Sequence, residues 1–289
     1  MSVRVADNTV EAVLEHYQRD LGGLYAKGEV RAIAASVFFD RLGWDVGELM
    51  VNRTTALSES ELLKVILPLK RLRTGEPLQY VLGSTEFHGL RIAVNAHVLI
   101  PRPETEELVD LLIRAQETPP DRIIDIGTGS GCIALAVKKA FPQAEVIGMD
   151  VSPEALDCAK GNGTALALDV NWQQADILDP ALTLSPAELI VSNPPYIPQG
   201  EEAAMEANVM EHEPHLALFV PDGDPLLFYR AIAEKALIAL PPGGQLWFEG
   251  HFLHTPAVAE LLRNMGYANV NVFTDLGGQP RIVRAKRGE

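Results

Sequence analysis

The sequence predicts an α/β protein: a doubly wound, mostly parallel seven-stranded sheet, preceded by a small helical bundle and a β-hairpin connector. Three observations carry that prediction. From about residue 104 strand-like and helix-like patterns alternate, whereas residues 8–73 show helical spacing without strands. A glycine-rich segment also sits at one strand-to-helix junction. The expected divisions are a helical part over 1–75, the connector over 76–103 and the α/β part over 104–289.

In the helical part, Val10, Val13, Leu14 and Tyr17 recur at helical spacing, as do Ile33, Val37 and Phe38, and Leu62, Leu63, Ile66 and Leu67. Gly22-Gly23 and Gly43 punctuate these runs, and Ser58 with Glu61 three residues on forms a capping-box pattern. The next stretch is marked by Gly and Pro, and its alternation of Phe87, Leu90, Ile92, Val94, Val98 and Ile100 around His88-Gly89 predicts a hairpin. Arg102 and Glu104 read as an ion pair or a helix start, with Pro103 in the first turn.

In the α/β part, seven segments read as strands: DRIIDIG, AEVIGMD, VNWQQAD, AELIVS, GGQLWFEG, ANVNVFTD and PRIVRAK. Helical segments GCIALAVKKAF, SPEALDCAKGNG, DPLLFYRAIAEKAL and TPAVAELLRNMGY lie between them. Residues 197–224 alone lack a pattern, and a loop of that length in a compact domain is usually functional or mobile.

Bulk properties narrow the function classes. The 289 residues are 47% hydrophobic and 22% charged, ordinary for a soluble globular protein. No apolar run approaches the roughly 18 residues needed to cross a bilayer, and MSVRVADNTVEAVLEHY has neither the basic start nor the apolar core of a signal peptide. Two cysteines, Cys132 and Cys158, rule out a disulfide framework and point to a reducing cytoplasm. Lys and Arg total 24 against 39 Asp and Glu, a net charge of −15 that argues against direct nucleic-acid binding.

The segment IIDIGTGSGCIAL passes from strand to helix through Gly127, Gly129 and Gly131. Glycines permit a sharp turn and close approach of a ligand to the main chain. The G-x-G-x-G spacing departs from the dinucleotide pattern, and the acid two residues before it, Asp125, suits a cationic ligand better than a pyrophosphate. The following strand ends in Met149-Asp150, where an acid accepts from both hydroxyls of a ribose. These residues resemble the class I methyltransferases that bind S-adenosylmethionine and release S-adenosylhomocysteine. The resemblance implies that Asp125, Ile126, Gly127, Thr128, Gly129 and Gly131 surround the methionine part, that Asp150 holds the ribose, and that Asp176 and Ile177 meet the adenine.

Residues 191–198 read VSNPPYIP, with Asn193-Pro194-Pro195-Tyr196 following a strand. The Asn193 side-chain oxygen and the Pro194 carbonyl each offer an acceptor to an NH₂ group, holding its nitrogen for in-line attack on a methyl. Pro195 fixes the turn, and Tyr196 offers a ring to stack on a flat amide or base. Asn193 therefore also borders the cofactor. Adenine N6, cytosine N4 and a glutamine amide all satisfy such a clamp.

Further motifs narrow the choice. GEPLQY at 75–80, IPRPETE at 100–106, DIGTGSGCIAL, VSNPPYIP and TDLGGQPRIV resemble the protein-(glutamine-N5) methyltransferases, and more closely the release factor glutamine methyltransferases of the PrmC/HemK family. The resemblance spans nearly the whole chain and is loosest over 199–224. It implies an enzyme that methylates the glutamine of the Gly-Gly-Gln motif in peptide chain release factors, and a monomer is expected. Asn193 to Tyr196 would hold that glutamine, while the helical part and hairpin embrace the factor. A ribosomal-protein glutamine is the alternative target, and nucleic-acid adenine a more distant one.

Two features have ordinary readings. Glu211, His212, Glu213 and His215, and His251 with His254, do not match a zinc spacing, so no metal is expected. Gly-Gly-Gln also occurs in this chain at 243–245 and 277–279, where turn chemistry explains both.

Overall fold

The computed structural model describes residues 7–200 and 207–289. Contacts divide the chain into two compact units, one of residues up to 83 together with 207–212, the other of 84–200 and 213–289.

The first unit contains α1 (Val10–Leu21), α2 (Lys27–Leu42), α3 (Val46–Val51), α4 (Glu59–Leu72) and α5 (Leu78–Leu82). Thr9 caps α1, and Asp45 and Ser58 start α3 and α4 with complete capping boxes. Val13, Tyr17, Val37, Phe38, Val65 and Leu69 close the core, where the Tyr17 hydroxyl donates to the Val65 carbonyl at 2.5 Å. The buried stripe of α4 runs through Val65, Ile66, Leu69 and Leu72, leaving Leu63 and Leu67 exposed, contrary to the spacing read from the sequence. The second difference is α5, which occupies part of the stretch read as hairpin connector. Five residues are too few to show a period. Gly83, left-handed at φ 82°, ends this helix, and Arg71 holds it by bonding Glu76 and the carbonyls of Tyr80 and Val81.

In the second unit, β1 (Ser84–Phe87) and β2 (Leu90–Ala93) form an antiparallel hairpin. Its turn, His88-Gly89, has positive φ at both residues, the geometry that matches strand twist. Val94, Val98 and Ile100 are buried beyond the strands rather than within them. There follow α6 (Pro103–Arg114), β3 (Arg122–Ile126), α7 (Cys132–Ala140), β4 (Glu145–Asp150), α8 (Pro153–Leu166), β5 (Asn171–Gln174) and β6 (Leu189–Ser192).

The stretch without sequence pattern holds four short elements among its described residues. These are β7 (Ile197–Pro198), α9 (Ala207–His212) of the first unit, α10 (His215–Leu218) and β8 (Phe219–Val220), with β7 and β8 paired in parallel. Elements of two to six residues leave no periodicity to read. The chain ends with α11 (Leu227–Ala239), β9 (Gln245–Glu249), α12 (Thr255–Asn264), β10 (Tyr267–Thr274) and β11 (Pro280–Arg287).

Seven strands lie in the order β10-β11-β9-β6-β3-β4-β5, parallel except where β11 meets β10 and β9. This is the class I methyltransferase fold expected from the sequence. Chain order reverses around β3, whose neighbours are β4 and β6. In open parallel sheets such a switch point opens a crevice at the strands' carboxyl ends.

Candidate active site

The carboxyl ends of β3, β4 and β6 meet in one cavity. Its wall includes Ile126 to Ser130, Met149 to Ser152, Ala175 to Ile177 and Ser192 to Pro195. The glycine loop, both acids after strands and the Asn-Pro-Pro corner thus share one chamber.

The loop owes its shape to glycine. Gly127 and Gly129 have φ of 72° and 54°, in the left-handed region, and a Cβ on either would meet nothing within 4 Å. Their backbone faces open space, as a close ligand approach requires. Gly131 has a different reason. A Cβ there would lie 2.7 Å from the Trp172 ring and 3.1 Å from Ala159, so this glycine serves packing beneath the loop and does not line the cavity.

Asp125 also departs from its expected place. It is fully buried under the loop, where Oδ2 accepts from the Thr128 hydroxyl at 2.6 Å and the Ala134 N–H at 3.1 Å. It anchors Thr128 to the start of α7 instead of facing the cavity. Burial pushes its pKa up to about 7, against the pull of those two bonds.

Asp150 stands on the wall. Its Oδ2 accepts from the Gly129 N–H at 2.8 Å and its Oδ1 from the Ser152 N–H at 3.0 Å. Burial raises its pKa while backbone donors from Ser152, Gly129 and Val151 oppose the rise. Each oxygen retains acceptor capacity for a diol. Asp176 is exposed on the wall and caps its own turn through the Leu178 N–H, with buried Ile177 beside it.

At the corner, Ser192 ties β6 to β3 by donating to the Ile126 carbonyl at 2.6 Å. Asn193 follows, half-buried, its Nδ2 donating to Thr105 Oγ1 at 3.3 Å. Thr105 in turn donates to Glu249 Oε2 at 2.7 Å, and both of these partners are buried. Pro194 and Pro195 line the cavity, but the Tyr196 ring does not. It packs on the sheet core and lies 6.0 Å from the His251 ring, so the stacking expected of it on an incoming group gives way to packing. Burial raises the Tyr196 phenol well above its ordinary value, keeping it neutral.

Several site-supporting residues are not among the candidates that the sequence suggests. Asn162 of α8 binds Ala93 through both amide atoms and donates to the Ser130 carbonyl, joining hairpin to loop. Thr105 lies within the conspicuous IPRPETE motif. Glu249 had a visible clue, an acid ending the apolar run of β9. Arg102 occupies the N-cap position of α6, with Pro103 in its first turn, so the helix start is realised, while its side chain makes no cap bond and pairs with buried Glu213 at 2.5 Å, a partner other than Glu104. Glu213 accepts from the Ile100 N–H as well. Its carboxylate is thus occupied by the IPRPETE segment. The Gln245 side chain of the first Gly-Gly-Gln bonds Gln116 and Trp247, and the second forms the β10–β11 turn.

Fold and site together define a class I methyltransferase. Residues 105–218 match the Methyltransferase small domain family, and residues 13–83 the PrmC N-terminal domain family. A methyltransferase structure from Pyrococcus furiosus covers 70% of this chain and 90% of its own with a TM-score of 0.53 at 18% identity, a likeness of fold. A release factor glutamine methyltransferase of Bacteroides thetaiotaomicron is 39% identical over 278 residues, 95% of this chain and 99% of that protein. Another, of Flavobacterium psychrophilum, is 40% identical over 241 residues, 82% of this chain and 85% of its own. The chain belongs to the release factor glutamine methyltransferase family.

Proposed function

We propose that the chain transfers a methyl group from S-adenosylmethionine to the N5 side-chain amide of the glutamine in the Gly-Gly-Gln motif of peptide chain release factors. The observation that carries this reading is the shared cavity: the Gly127–Gly129 cradle and the Asn193-Pro194 acceptors line one wall. The cradle fits the cofactor chemically. It combines backbone open to close approach, a carboxylate at the end of β4 and an apolar lining at Ile177.

Residues Ile126 to Gly129 would hold the methionine part, Asp150 the ribose and Asp176 with Ile177 the adenine. When bound, S-adenosylmethionine supplies an electrophilic methyl on a sulfonium. Asn193 Oδ1 and the Pro194 carbonyl each accept one hydrogen bond from the substrate NH₂. That draws the nitrogen out of planarity and aims its lone pair, the contribution an amide nucleophile most lacks. The chain needs no strong base, because the substrate nitrogen keeps both protons, hydrogen-bonded to Asn193 Oδ1 and the Pro194 carbonyl, until the methyl has been gained and one proton is lost to water.

The helical unit is proposed as the part that recognises the release factor. It exposes Phe39, Met50, Val51 and Leu67, apolar side chains of the kind that mark protein-binding surfaces. Two free cysteines, neither paired, accord with a cytoplasmic setting. The test is transfer of label from S-adenosylmethionine to a purified release factor, beside the same factor with its Gly-Gly-Gln glutamine replaced. Label on the first alone is expected. Equal label on both would overturn the assignment of the target.

A further inference from the structure

The clamp works only if the Asn193 carboxamide presents its oxygen, not its NH₂, to the substrate. A side-chain amide rotated by half a turn would offer donors to a donor and repel it. Something must therefore fix its orientation. The corner itself does not, since the residues after Asn193 are prolines that lack N–H groups.

The surroundings supply the answer. The Thr105 hydroxyl has one proton, and the short 2.7 Å contact commits it to Glu249 Oε2. Thr105 Oγ1 is then an acceptor toward Asn193, which must turn its Nδ2 to it. The rotated amide would set Oδ1 against an oxygen with no proton left to give. Orientation thus runs from carboxylate to hydroxyl to amide. We propose that Thr105 and Glu249 are positioning residues for methyl transfer, with the Glu249 carboxylate fixing the Thr105 hydroxyl and so directing Asn193 Oδ1 at the incoming NH₂ group. This deepens the proposed reaction and rests on it.

The direction of the chain depends on charge. A protonated Glu249 becomes a donor to Thr105, freeing the hydroxyl to donate to Asn193 Oδ1 and capture the acceptor meant for substrate. Groups facing Glu249 come from every element around it. Arg102 and Glu104 flank it from the start of α6, Arg281 from β11, Tyr196 from the corner and Cys132 from α7. The Tyr229 hydroxyl of α11 donates to its backbone carbonyl. Burial is the dominant influence and pushes the Glu249 pKa up to about 7, over the opposing Thr105 bond and the Arg281 and Arg102 charges. The switch therefore falls near neutral pH, with the active direction on the alkaline side.

The experiment compares T105V, T105S and E249Q with the unaltered full-length enzyme. Release-factor methylation is followed from about pH 5.5 to about pH 8.5, together with cofactor affinity by calorimetry. T105V should lower kcat by about 10- to 100-fold with cofactor affinity within about twofold, and T105S should restore kcat. E249Q should lower kcat and remove the acid limb of its pH profile, which a merely structural role would leave in place. The Asn193 side-chain amide protons, observed by NMR in the substrate-free enzyme, should exchange faster in T105V. Unchanged exchange and unchanged kcat in T105V, or an acid limb kept by E249Q, would overturn the proposal. The NMR readout needs no turnover, so failure of the release-factor reading would be seen separately as an unaltered enzyme that transfers no label.

Discussion

Two neighbouring strand ends contribute to the cavity by opposite means. After β3, Gly127 and Gly129 expose bare backbone by lacking side chains, and their positive φ values make glycine necessary. After β6, Asn193 contributes a side chain, and its orientation is set by a buried hydroxyl and a buried acid on other elements. The first solution is local and is written into one pentapeptide. The second is assembled from α6, β6 and β9, with 144 residues of chain between its outermost members, Thr105 and Glu249. The contrast suits the two tasks: the loop needs only to be approached, whereas the corner must present one atom in one direction.

Breaking the corner has the largest expected effect. Asn193→Ala should cut transfer by about 10²- to 10³-fold, the usual loss when one preorganised hydrogen-bonding partner is removed, with cofactor affinity little changed. A kinetic assay at saturating cofactor checks it. Breaking the loop from below should harm the fold instead. Gly131→Ala adds left-handed strain and drives a Cβ to 2.7 Å from Trp172, so denaturant unfolding should show a loss of about 2–4 kcal/mol.

Asp150→Ala should weaken the cofactor by about 10- to 100-fold in calorimetry, in line with losing charge-assisted hydrogen bonds. Gly129→Ala should be milder, about 1 kcal/mol of strain, since its Cβ meets no neighbour. Comparing it with Gly131→Ala separates the two kinds of glycine within one motif.

The remaining effect, seen only as a dependence on pH, concerns the buried acid under the loop. Asp125 has a pKa raised to about 7 in the fold, whereas in the unfolded chain it ionises near its ordinary value. Between those values the folded protein holds a proton that the unfolded chain lacks, so stability falls as pH rises through this window. Asp125→Asn should flatten that slope by on the order of 1–2 kcal/mol, measured as the difference in unfolding free energy between acidic and neutral buffer.

The same contrast explains what could be read from the sequence. Strand-helix alternation, the glycine loop and Asn193-Pro194 were legible because each is contiguous and has its own periodicity or spacing. Asp150 was legible because the next parallel strand must end beside the loop. The positions of Asp125, Gly131 and Tyr196 were not, because facing a cavity or lying beneath it is decided by packing that spacing does not encode. The link of Thr105 and Glu249 to Asn193 was hidden for a related reason: they reach it from sequence separations of 88 and 56 residues. In the helical unit, α5 and α9 were too brief to show a period.

The division of labour between loop and corner is tested most directly by a crossed pair of variants, Asp150→Ala and Asn193→Ala. For each, the dissociation constant of S-adenosylmethionine and the single-turnover rate of release-factor methylation at saturating cofactor are measured. Asp150→Ala should bind weakly yet approach the unaltered rate once saturated, and Asn193→Ala should bind normally yet transfer almost nothing. If instead Asn193→Ala transfers normally, or both variants lose binding and rate together, the account of two separate tasks at adjacent strand ends is wrong.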